Sequence, residues 1–327
     1  MATAEQIKTL IRSHYNGQKE RFMTVALQVA AHEAMQGHQD FAFEIREIID
    51  RSQARVNAIK VFPYTPDLEH LVSVREPKEN LSEIILSPEL IDKVRRIILE
   101  YRQREKLSCH GMSYRRRILL IGPPGTGKTM TASVLAHELG LPLCQVMIDR
   151  LVTKFMGETS AKLRLVFEGM RAAKGVYLFD EFDAIGGDRG KENDVGEMRR
   201  VMSSFLQFIE QDPSDSLIIA ATNNPKLLDH ALFRRFDDVI VYDLPMPKEV
   251  VGLISNRLSN YGVKITTIDQ KVVKAASHLS HADIVRSCDD AAKEMILNDG
   301  TCITASMLCR FLNERQKRMS ARSQQGK

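Results

Sequence analysis

Eight consecutive residues near the middle of the chain have the types and the spacing of a phosphate-binding loop. An apolar run at 118–121 precedes them, and a helical pattern follows them. Glycines let several backbone N–H groups converge on one anion, which the positive end of the following helix also attracts. In such a loop Lys128 would contact the β- and γ-phosphates, and the Thr129 hydroxyl would bind Mg²⁺. The predicted nucleotide-binding residues here are Gly122, Pro123, Pro124, Gly125, Thr126, Gly127, Lys128, Thr129 and Met130.

Two adjacent acids follow a second apolar run, about fifty residues after Lys128. The run Val176–Phe179 predicts a buried strand that delivers Asp180 and Glu181 to its end. Asp180 would then hold the magnesium ion in the nucleotide site, and Glu181 would polarise the attacking water. A strand end with two solvated acids is the alternative, but the preceding phosphate loop favours the catalytic interpretation. The two motifs together predict a site that hydrolyses ATP with Mg²⁺ as cofactor.

From about residue 80 to residue 315 the chain resembles the AAA ATPases, a family of ring-forming, ATP-driven protein remodelling machines. Residues 220–225 resemble the family's sensor-1 segment, in which an Asn hydrogen-bonds the γ-phosphate and the attacking water. The resemblance implies that Asn223 is this catalytic sensor. Asn224 stands where an Arg is common in the family, so a shift of the role by one residue stays open. Without the phosphate loop, an Asn-Pro turn would be the default interpretation.

Residues 231–237 resemble the family's arginine-finger segment. This implies that Arg234 and Arg235 reach the ATP of a neighbouring subunit, and hence a homo-oligomeric ring, expected to be a hexamer. Surface salt bridges are the alternative role for both arginines. Residues 280–284 resemble the segment that begins the nucleotide-facing helix of the family's lid. The usual Gly of that segment is His281 here, which leaves open how the lid contacts the adenosine.

Lys154, Phe155, Met156 and Gly157 resemble pore loop 1 of the family, which lines the central channel of the ring. An aromatic ring and a flexible Met can grip extended polypeptide of almost any sequence, because both contacts are dispersive and adaptable. The alternative is that Phe155 and Met156 fold into the core of their own domain. A second glycine-rich segment at 186–191 is either another channel loop or a solvated turn.

The elements that must position these residues indicate an α/β fold, with a P-loop parallel sheet and flanking helices. We expect residues 1–55 to form a short all-α N-terminal adaptor of three helices, and residues 56–80, with three prolines, to form a linker. Residues 81–245 would form the large P-loop subdomain and residues 246–317 a small helical lid. Residues 318–327 would form a disordered tail.

Within the large subdomain and the lid, the apolar runs and the capping residues locate the individual elements. Beyond the strand that precedes the phosphate loop, the predicted strands are Leu143–Val146, Val176–Phe179, Leu217–Ala221 and Val239–Tyr242. No strand is expected after Pro247. The predicted lid helices begin near Lys248, Thr267, Ser280 and Thr304.

The composition of the 327 residues is that of an ordinary globular protein, with 27% charged and 43% hydrophobic residues. The formal net charge of +4 is too small to argue for a nucleic-acid partner by itself. No apolar run approaches the roughly 20 residues of a membrane helix, and the N-terminus lacks the features of a signal peptide. Five cysteines without a C-x-x-C pair indicate neither a disulfide framework nor a zinc site. We therefore expect a cytoplasmic protein with no membrane partner.

The favoured function is an ATP-driven machine that unfolds, threads or disassembles protein substrates. A short helical head joined to a single AAA module resembles bacterial AAA proteins encoded beside subtilisin-like serine proteases in antiviral defence pairs. That resemblance implies a separate protease or adaptor partner. A nucleic-acid motor and a nucleotide-gated scaffold are alternatives on the same fold. The aromatic pore loop favours polypeptide, because a nucleic-acid channel would present Lys or Arg to phosphates, although Lys154 is one such charge.

Overall fold

The chain divides into two compact units, Met1–Phe62 and Pro63–Lys327, so their boundary falls inside the predicted linker. The computed structural model describes residues 4–15, 19–39, 42–46, 66–152, 158–183, 192–225, 233–265 and 268–325.

The first unit is helical where it is described. Helix α1 (Ala4–Tyr15) packs against α2 (Lys19–Met35), and residues 42–46 are also helical. Of the apolar residues of α2, Phe22 is 37% exposed and Leu27 is 40% exposed. The helix buries Val25, Ala26, Val29 and Ala30.

The second unit is built on a six-stranded sheet with the order β1-β3-β4-β5-β2-β6. Its strands are β1 (Val72–Arg75), β2 (Arg117–Ile121), β3 (Leu143–Val146), β4 (Val176–Phe179), β5 (Leu217–Thr222) and β6 (Asp238–Val241). All pairs are parallel except the pair of β1 with β3. The central strands β4 and β5 are continuous buried apolar runs, as expected for parallel strands covered on both faces. The predicted parallel sheet and the strands predicted for it are thus confirmed.

Seven helices accompany this sheet in the described part of the large subdomain. They are α3 (Pro66–Glu69), α4 (Pro88–Arg102), α5 (Arg104–Cys109), α6 (Lys128–Leu139), α7 (Ile148–Leu151), α8 (Glu158–Ala172) and α9 (Glu192–Gln211). Helices α4 and α6 share one core with the sheet, in which Ile97 and Leu135 pack with Leu120 and Ile219. Helix α6 begins directly after Gly127, so the sheet core fixes the start of the helix that follows the phosphate loop.

The lid has its own core and follows the sheet in the chain. Leu253, Ile284, Cys288 and Leu308 are among the residues that pack together in it. The lid elements are α10 (Pro247–Asn260), β7 (Lys264–Ile265), α11 (Gln270–Ala275), α12 (His281–Leu297), β8 (Cys302–Ile303) and α13 (Ala305–Gln325). Ser280 caps α12, as predicted, because its hydroxyl accepts a hydrogen bond from the Asp283 N–H.

The prediction of a linker over 56–80 is wrong at residues 66–69 and 72–75. Residues 66–69 form α3, and residues 72–75 form β1, the edge strand that pairs with β3. This strand has the sequence V-S-V-R and alternates between buried and solvated positions. A four-residue alternation among prolines and charges gives too weak a signal to distinguish it from a loop.

Three predictions for the lid are also corrected. A two-residue parallel pair, β7 with β8, lies beyond Pro247, where no strand was expected; two residues are too short to leave a pattern. Helix α11 is capped by Asp269 rather than starting near Thr267, which lies outside the described residues. Helix α13 continues to Gln325 instead of ending in a disordered tail at 318, because its polar C-terminal part contains no Gly or Pro before Gly326.

Candidate nucleotide-binding site

The carboxyl ends of three parallel strands bring the predicted site residues to one edge of the sheet. Ile121 at the end of β2 is in register with Thr222 of β5, and Phe179 at the end of β4 is in register with Ala220. The phosphate loop, the two acids and Asn223 therefore all begin at the same edge. Ligands of open α/β sheets bind at this edge.

Lys128, the first residue of α6, is only 6% exposed and its ammonium group reaches back over its own loop. The ammonium donates hydrogen bonds to the backbone carbonyls of Gly122 (2.7 Å) and Pro123 (2.8 Å), and to Oδ1 of Asn223 (2.8 Å). Burial lowers the pKa of Lys128, and two nearby carboxylates offset part of that shift. The positive charge is thus held by three oxygens at the centre of the loop.

Thr129 and Asp180 form the part of the site that fits a magnesium ion. The Thr129 hydroxyl donates a hydrogen bond of 2.7 Å to Oδ2 of Asp180. A hydroxyl and a carboxylate are hard oxygen donors, and proteins hold Mg²⁺ with one or two carboxylates together with substrate phosphates. No three His, Cys, Asp or Glu side chains within the described residues could hold a metal by themselves. Binding of Mg²⁺ would therefore depend on Thr129, Asp180 and the phosphates of a nucleotide.

Asn223 follows β5 and is positioned by Asp183. Oδ1 of Asp183 accepts hydrogen bonds from the Asn223 N–H (3.3 Å) and from the Thr222 hydroxyl (3.0 Å). The Asn224 N–H donates to the same Thr222 hydroxyl (3.0 Å). Of the two candidate sensors, the structure brings Asn223 into contact with Lys128.

Glu181 has a backbone conformation that is uncommon for a residue with a side chain. Its φ is +52°, in the left-handed region. The next residue, Phe182, is fully buried, and its N–H donates to the carbonyl of Ala221 (2.9 Å). This anchor fixes the turn after β4, and the Glu181 side chain stays exposed. Strained conformations of this kind are concentrated at functional sites.

Two glycines of the loop are required by close contacts. Gly125 has a φ of +76°, and a Cβ at this position would lie 2.6 Å from the Ser280 hydroxyl. The carbonyl of Gly125 accepts a hydrogen bond from the Ala282 N–H (2.9 Å), so the lid helix α12 contacts the loop backbone directly. A Cβ on Gly122 would lie 2.4 Å from the carbonyl oxygen of Tyr242.

A cavity of about 470 Å³ lies between the loop and the lid. Of the predicted nucleotide-binding and catalytic residues, its wall contains 124–130, Asp180, Glu181 and Asn223. Further residues come from the segment before α4 and from the lid, including Ile84, Leu253 and His281. The cavity thus has a polar end at the loop, and its lid end combines apolar residues with Asn256, Arg257 and Asn260.

The two predicted finger arginines have different surroundings. Arg235 forms an ion pair with Glu210 of α9. Arg234 is exposed and makes no ion pair with any residue that the structure describes. The predicted pore loop, from Lys154 to Gly157, and the second glycine-rich segment at 186–191 lie outside the described residues.

Sequence reasoning missed two residues that support the site. Asp183, which positions Asn223, follows Glu181 by two residues, and this proximity to the acid pair was the available signal. Tyr242 donates a hydrogen bond of 2.7 Å to the hydroxyl of Thr131, which donates in turn to the Gly127 carbonyl (3.0 Å). No local pattern predicts the link from Tyr242, because its partner lies 111 residues earlier in the chain.

None of the described helices has the length and apolar composition of a membrane-spanning segment.

Comparison with known proteins agrees with this geometry. The family model for the ATPase family associated with various cellular activities (AAA) matches residues 118–244. The chain is 33% identical to the uncharacterized AAA family ATPase y4kL of Sinorhizobium fredii over 91% of this chain and 90% of that protein. It is 35% identical to the proteasome-activating nucleotidase of Thermococcus onnurineus over 60% of this chain and 48% of that protein.

Two further matches cover less of this chain than y4kL does. The ATP-dependent zinc metalloprotease FtsH of Halothermothrix orenii is 31% identical over 68% of this chain, which spans only 35% of that protein. The crystal structure of the FIGL-1 AAA domain has the same fold, with a TM-score of 0.59 and 20% identity over 82% of this chain and 95% of that one. The sheet order, the phosphate loop and the extended similarity to y4kL lead to one conclusion: the chain belongs to the AAA family of ATPases.

Proposed function

We propose that this ATPase forms a ring, hydrolyses ATP at its subunit interfaces and uses the energy to unfold, thread or disassemble proteins. The observation that supports the hydrolytic part best is the hydrogen-bonded arrangement at the polar end of the cavity. There the Lys128 ammonium is bonded to Asn223, and the Thr129 hydroxyl is bonded to Asp180. These are the groups that phosphoryl transfer requires, because its catalysis consists mainly of positioning and charge stabilisation.

In this proposal each residue has one task. Lys128 binds the β- and γ-phosphates, Asn223 orients the attacking water, and Glu181 accepts the proton of that water. Thr129 and Asp180 hold Mg²⁺, which would neutralise charge on the phosphates. The Asp180 carboxylate is already bonded to the Thr129 hydroxyl, which leaves Glu181 as the acid of this pair on the cavity wall whose side chain is exposed.

The ring is proposed from the arginines. An arginine finger must be free to reach a nucleotide on another subunit, and Arg234 is exposed while Arg235 is paired with Glu210 of its own chain. We therefore assign the finger role to Arg234, with Arg235 as a residue that holds the segment in place. A hexamer is the ring size expected from the family resemblance.

A protein substrate is proposed from the pore loop and from the relatives. Phe155 and Met156 would line the channel and grip polypeptide, with Lys154 and Gly157 beside them. Two relatives support a polypeptide substrate through their names, a proteasome-activating nucleotidase and an ATP-dependent protease. A separate protease partner, as in the defence pairs that the chain resembles, would then receive the unfolded substrate.

The decisive experiment compares ATP consumption with remodelling. Phe155→Ala should leave basal ATPase within a few-fold, because every proposed phosphate-binding residue remains, and should abolish ATP-driven unfolding of a tagged model protein. Each aromatic contact contributes about 1.5–3 kcal/mol, and several subunits would lose it together. Phe155→Tyr is the matched control and should retain most unfolding activity, since ring area and planarity are kept.

Three results would contradict this proposal. If Phe155 belonged to the core of its own domain, Phe155→Ala would cost about 3–5 kcal/mol of stability and lower the melting temperature and ATPase together. A thermally normal Phe155→Ala protein that still unfolds substrate would exclude the gripping role. Stimulation of the parent ATPase by single-stranded DNA, with none by a permanently unfolded protein, would favour the nucleic-acid motor.

A further inference from the structure

The N-terminus of lid helix α12 is held firmly against the cavity. The Ser280 hydroxyl accepts from the Asp283 N–H (3.2 Å) and donates to the Asp283 carboxylate (2.6 Å). On the other side, the Ala282 N–H donates to the carbonyl of Gly125 in the phosphate loop (2.9 Å). His281 lies between these two fixed residues, so its backbone position on the cavity wall is set by the fold.

The His281 side chain is buried, and its polar atoms have no partner in the part of the chain that the structure describes. The residue is 8% exposed, and neither Nδ1 nor Nε2 has a hydrogen-bond partner among the described residues. Burial lowers the pKa of His281 to about 4, so the ring is neutral at pH 7 and has one N–H donor and one acceptor nitrogen. A buried polar group without a hydrogen-bond partner lowers the stability of the fold, and such groups are rare in native proteins.

This situation is specific to His281 in the part of the chain that the structure describes. The other buried side-chain atoms without a partner are Nε of Arg117 and Oδ1 of Asp212. Arg117 donates through another nitrogen to the Glu210 carbonyl, and Asp212 accepts from Arg116 through its second oxygen. Among the described residues, His281 is thus the one whose polar side-chain atoms are all both buried and unpaired.

The position of His281 within the cavity indicates which part of a ligand would meet it. Its neighbour Ala282 contacts the phosphate loop, and Val285, four residues further along α12, lies on the same helix face and lines the lid end. A nucleotide whose phosphates bind at Lys128 and whose base packs against Leu253 and Val285 would have its ribose between the two. His281 lines the cavity beside that expected site of the sugar, and because both of its nitrogens are buried, the contact requires the ring to turn toward the cavity.

We infer that His281 hydrogen-bonds the ribose hydroxyls of the bound nucleotide and makes this ATPase selective for the complete ribose. A hydroxyl both donates and accepts, so it can pair with a neutral imidazole in either tautomer. The family's usual Gly has no side chain to make such a contact, so the interaction belongs to this chain rather than to the AAA fold. The inference rests on nucleotide binding in the cavity and is independent of protein remodelling.

The test measures sugar selectivity by calorimetric titration with ADP, 2′-deoxy-ADP and 3′-deoxy-ADP, which are not hydrolysed. The parent should bind ADP about three- to tenfold more tightly than at least one deoxy analogue, as expected for one hydrogen bond. His281→Phe fills a similar volume without polar atoms and should reduce that ratio to about one. His281→Gly should do the same and serves as the second variant if the Phe protein does not fold.

The controls distinguish loss of the contact between His281 and the ribose from a general loss of nucleotide binding. His278→Gly removes an exposed lid histidine outside the cavity, and it should keep the parent ratio. The ratio of ADP to GDP affinity should stay unchanged in both His281 variants, because the base is not the group contacted. The inference is overturned if the sugar ratio is the same in parent and variants, or if only the ADP-to-GDP ratio changes. Failure of the parent to bind ADP at all would instead overturn the assignment of the nucleotide site.

Discussion

The two ends of the nucleotide cavity differ in how their polar groups are satisfied. At the loop end, Lys128 has three oxygen partners and Thr129 is bonded to Asp180. At the lid end, apolar residues lie beside Asn256, Arg257 and Asn260, and neither nitrogen of His281 has a partner among the described residues. The loop end is thus organised by the protein itself, whereas the polar atoms of His281 stay unpaired. In our proposals this difference separates the residues that perform chemistry from the residue that selects the ribose.

The largest expected effect comes from substituting Arg234, which lies outside both ends of the cavity and is proposed to reach the nucleotide of a neighbouring subunit. Arg234→Ala should lower the ATPase rate by about 10³–10⁵ while ATP still binds, because a finger stabilises charge on the transferring phosphoryl group. Steady-state ATPase assays and nucleotide titrations measure the two quantities. Arg235→Ala is the matched control, and its smaller loss should reflect the missing ion pair with Glu210.

Mixing Arg234→Ala with Lys128→Ala protein should restore part of the activity, because some interfaces then combine an intact loop with an intact finger. Absence of rescue in rings shown to contain both variants would place Arg234 outside the neighbouring active site.

A second substitution should affect chemistry at the loop end and leave the lid end unchanged. Glu181→Gln removes the proposed base but keeps Lys128, Thr129 and Asp180, so the hydrolysis rate should fall by about 10²–10⁴ with ATP affinity retained. Lys128→Ala is the contrasting variant and should lose nucleotide affinity itself. Hydrolysis by Glu181→Gln at the parent rate would remove Glu181 from the mechanism.

The smallest expected effect concerns the lid end and appears as a pH dependence of stability without nucleotide. Burial lowers the pKa of His281 from 6.5 to about 4, so the unfolded chain binds more protons than the folded chain between these values. The free energy of unfolding contributed by this residue is therefore lost as the pH falls below 6.5. The loss should be about 2 kcal/mol between pH 7 and pH 5.

Urea titrations of the parent and of His281→Phe at the two pH values test this expectation. The variant should lose less stability than the parent by about that amount. Equal losses in the two proteins would show that protonation of His281 does not oppose folding.

The sequence was most informative where one local pattern encodes one element. Continuous apolar runs predicted β2 to β6, and the loop motif predicted the residues that the structure gathers around Lys128. Strand β1 escaped prediction because its four residues are stabilised by pairing with β3, and that pairing leaves little trace in the local sequence. The role of Tyr242 likewise depends on a hydrogen bond to Thr131 across the fold. The sequence shows His281 in place of the family's usual Gly. Only the structure shows that its side chain is buried and that its nitrogens have no partner among the described residues.

The direct backbone contact between Gly125 and Ala282 couples movement of the phosphate loop to movement of helix α12. The hydrogen bond is 2.9 Å long, and the close approach of Ser280 leaves no room for a side chain on Gly125. Helix α12 has 17 residues, so it is a stiff rod about 25 Å long with this contact near one end. A rotation of about 5° at the loop would move the far end of the rod by about 2 Å. Small adjustments of the loop around phosphates would therefore be amplified at the outer surface of the lid.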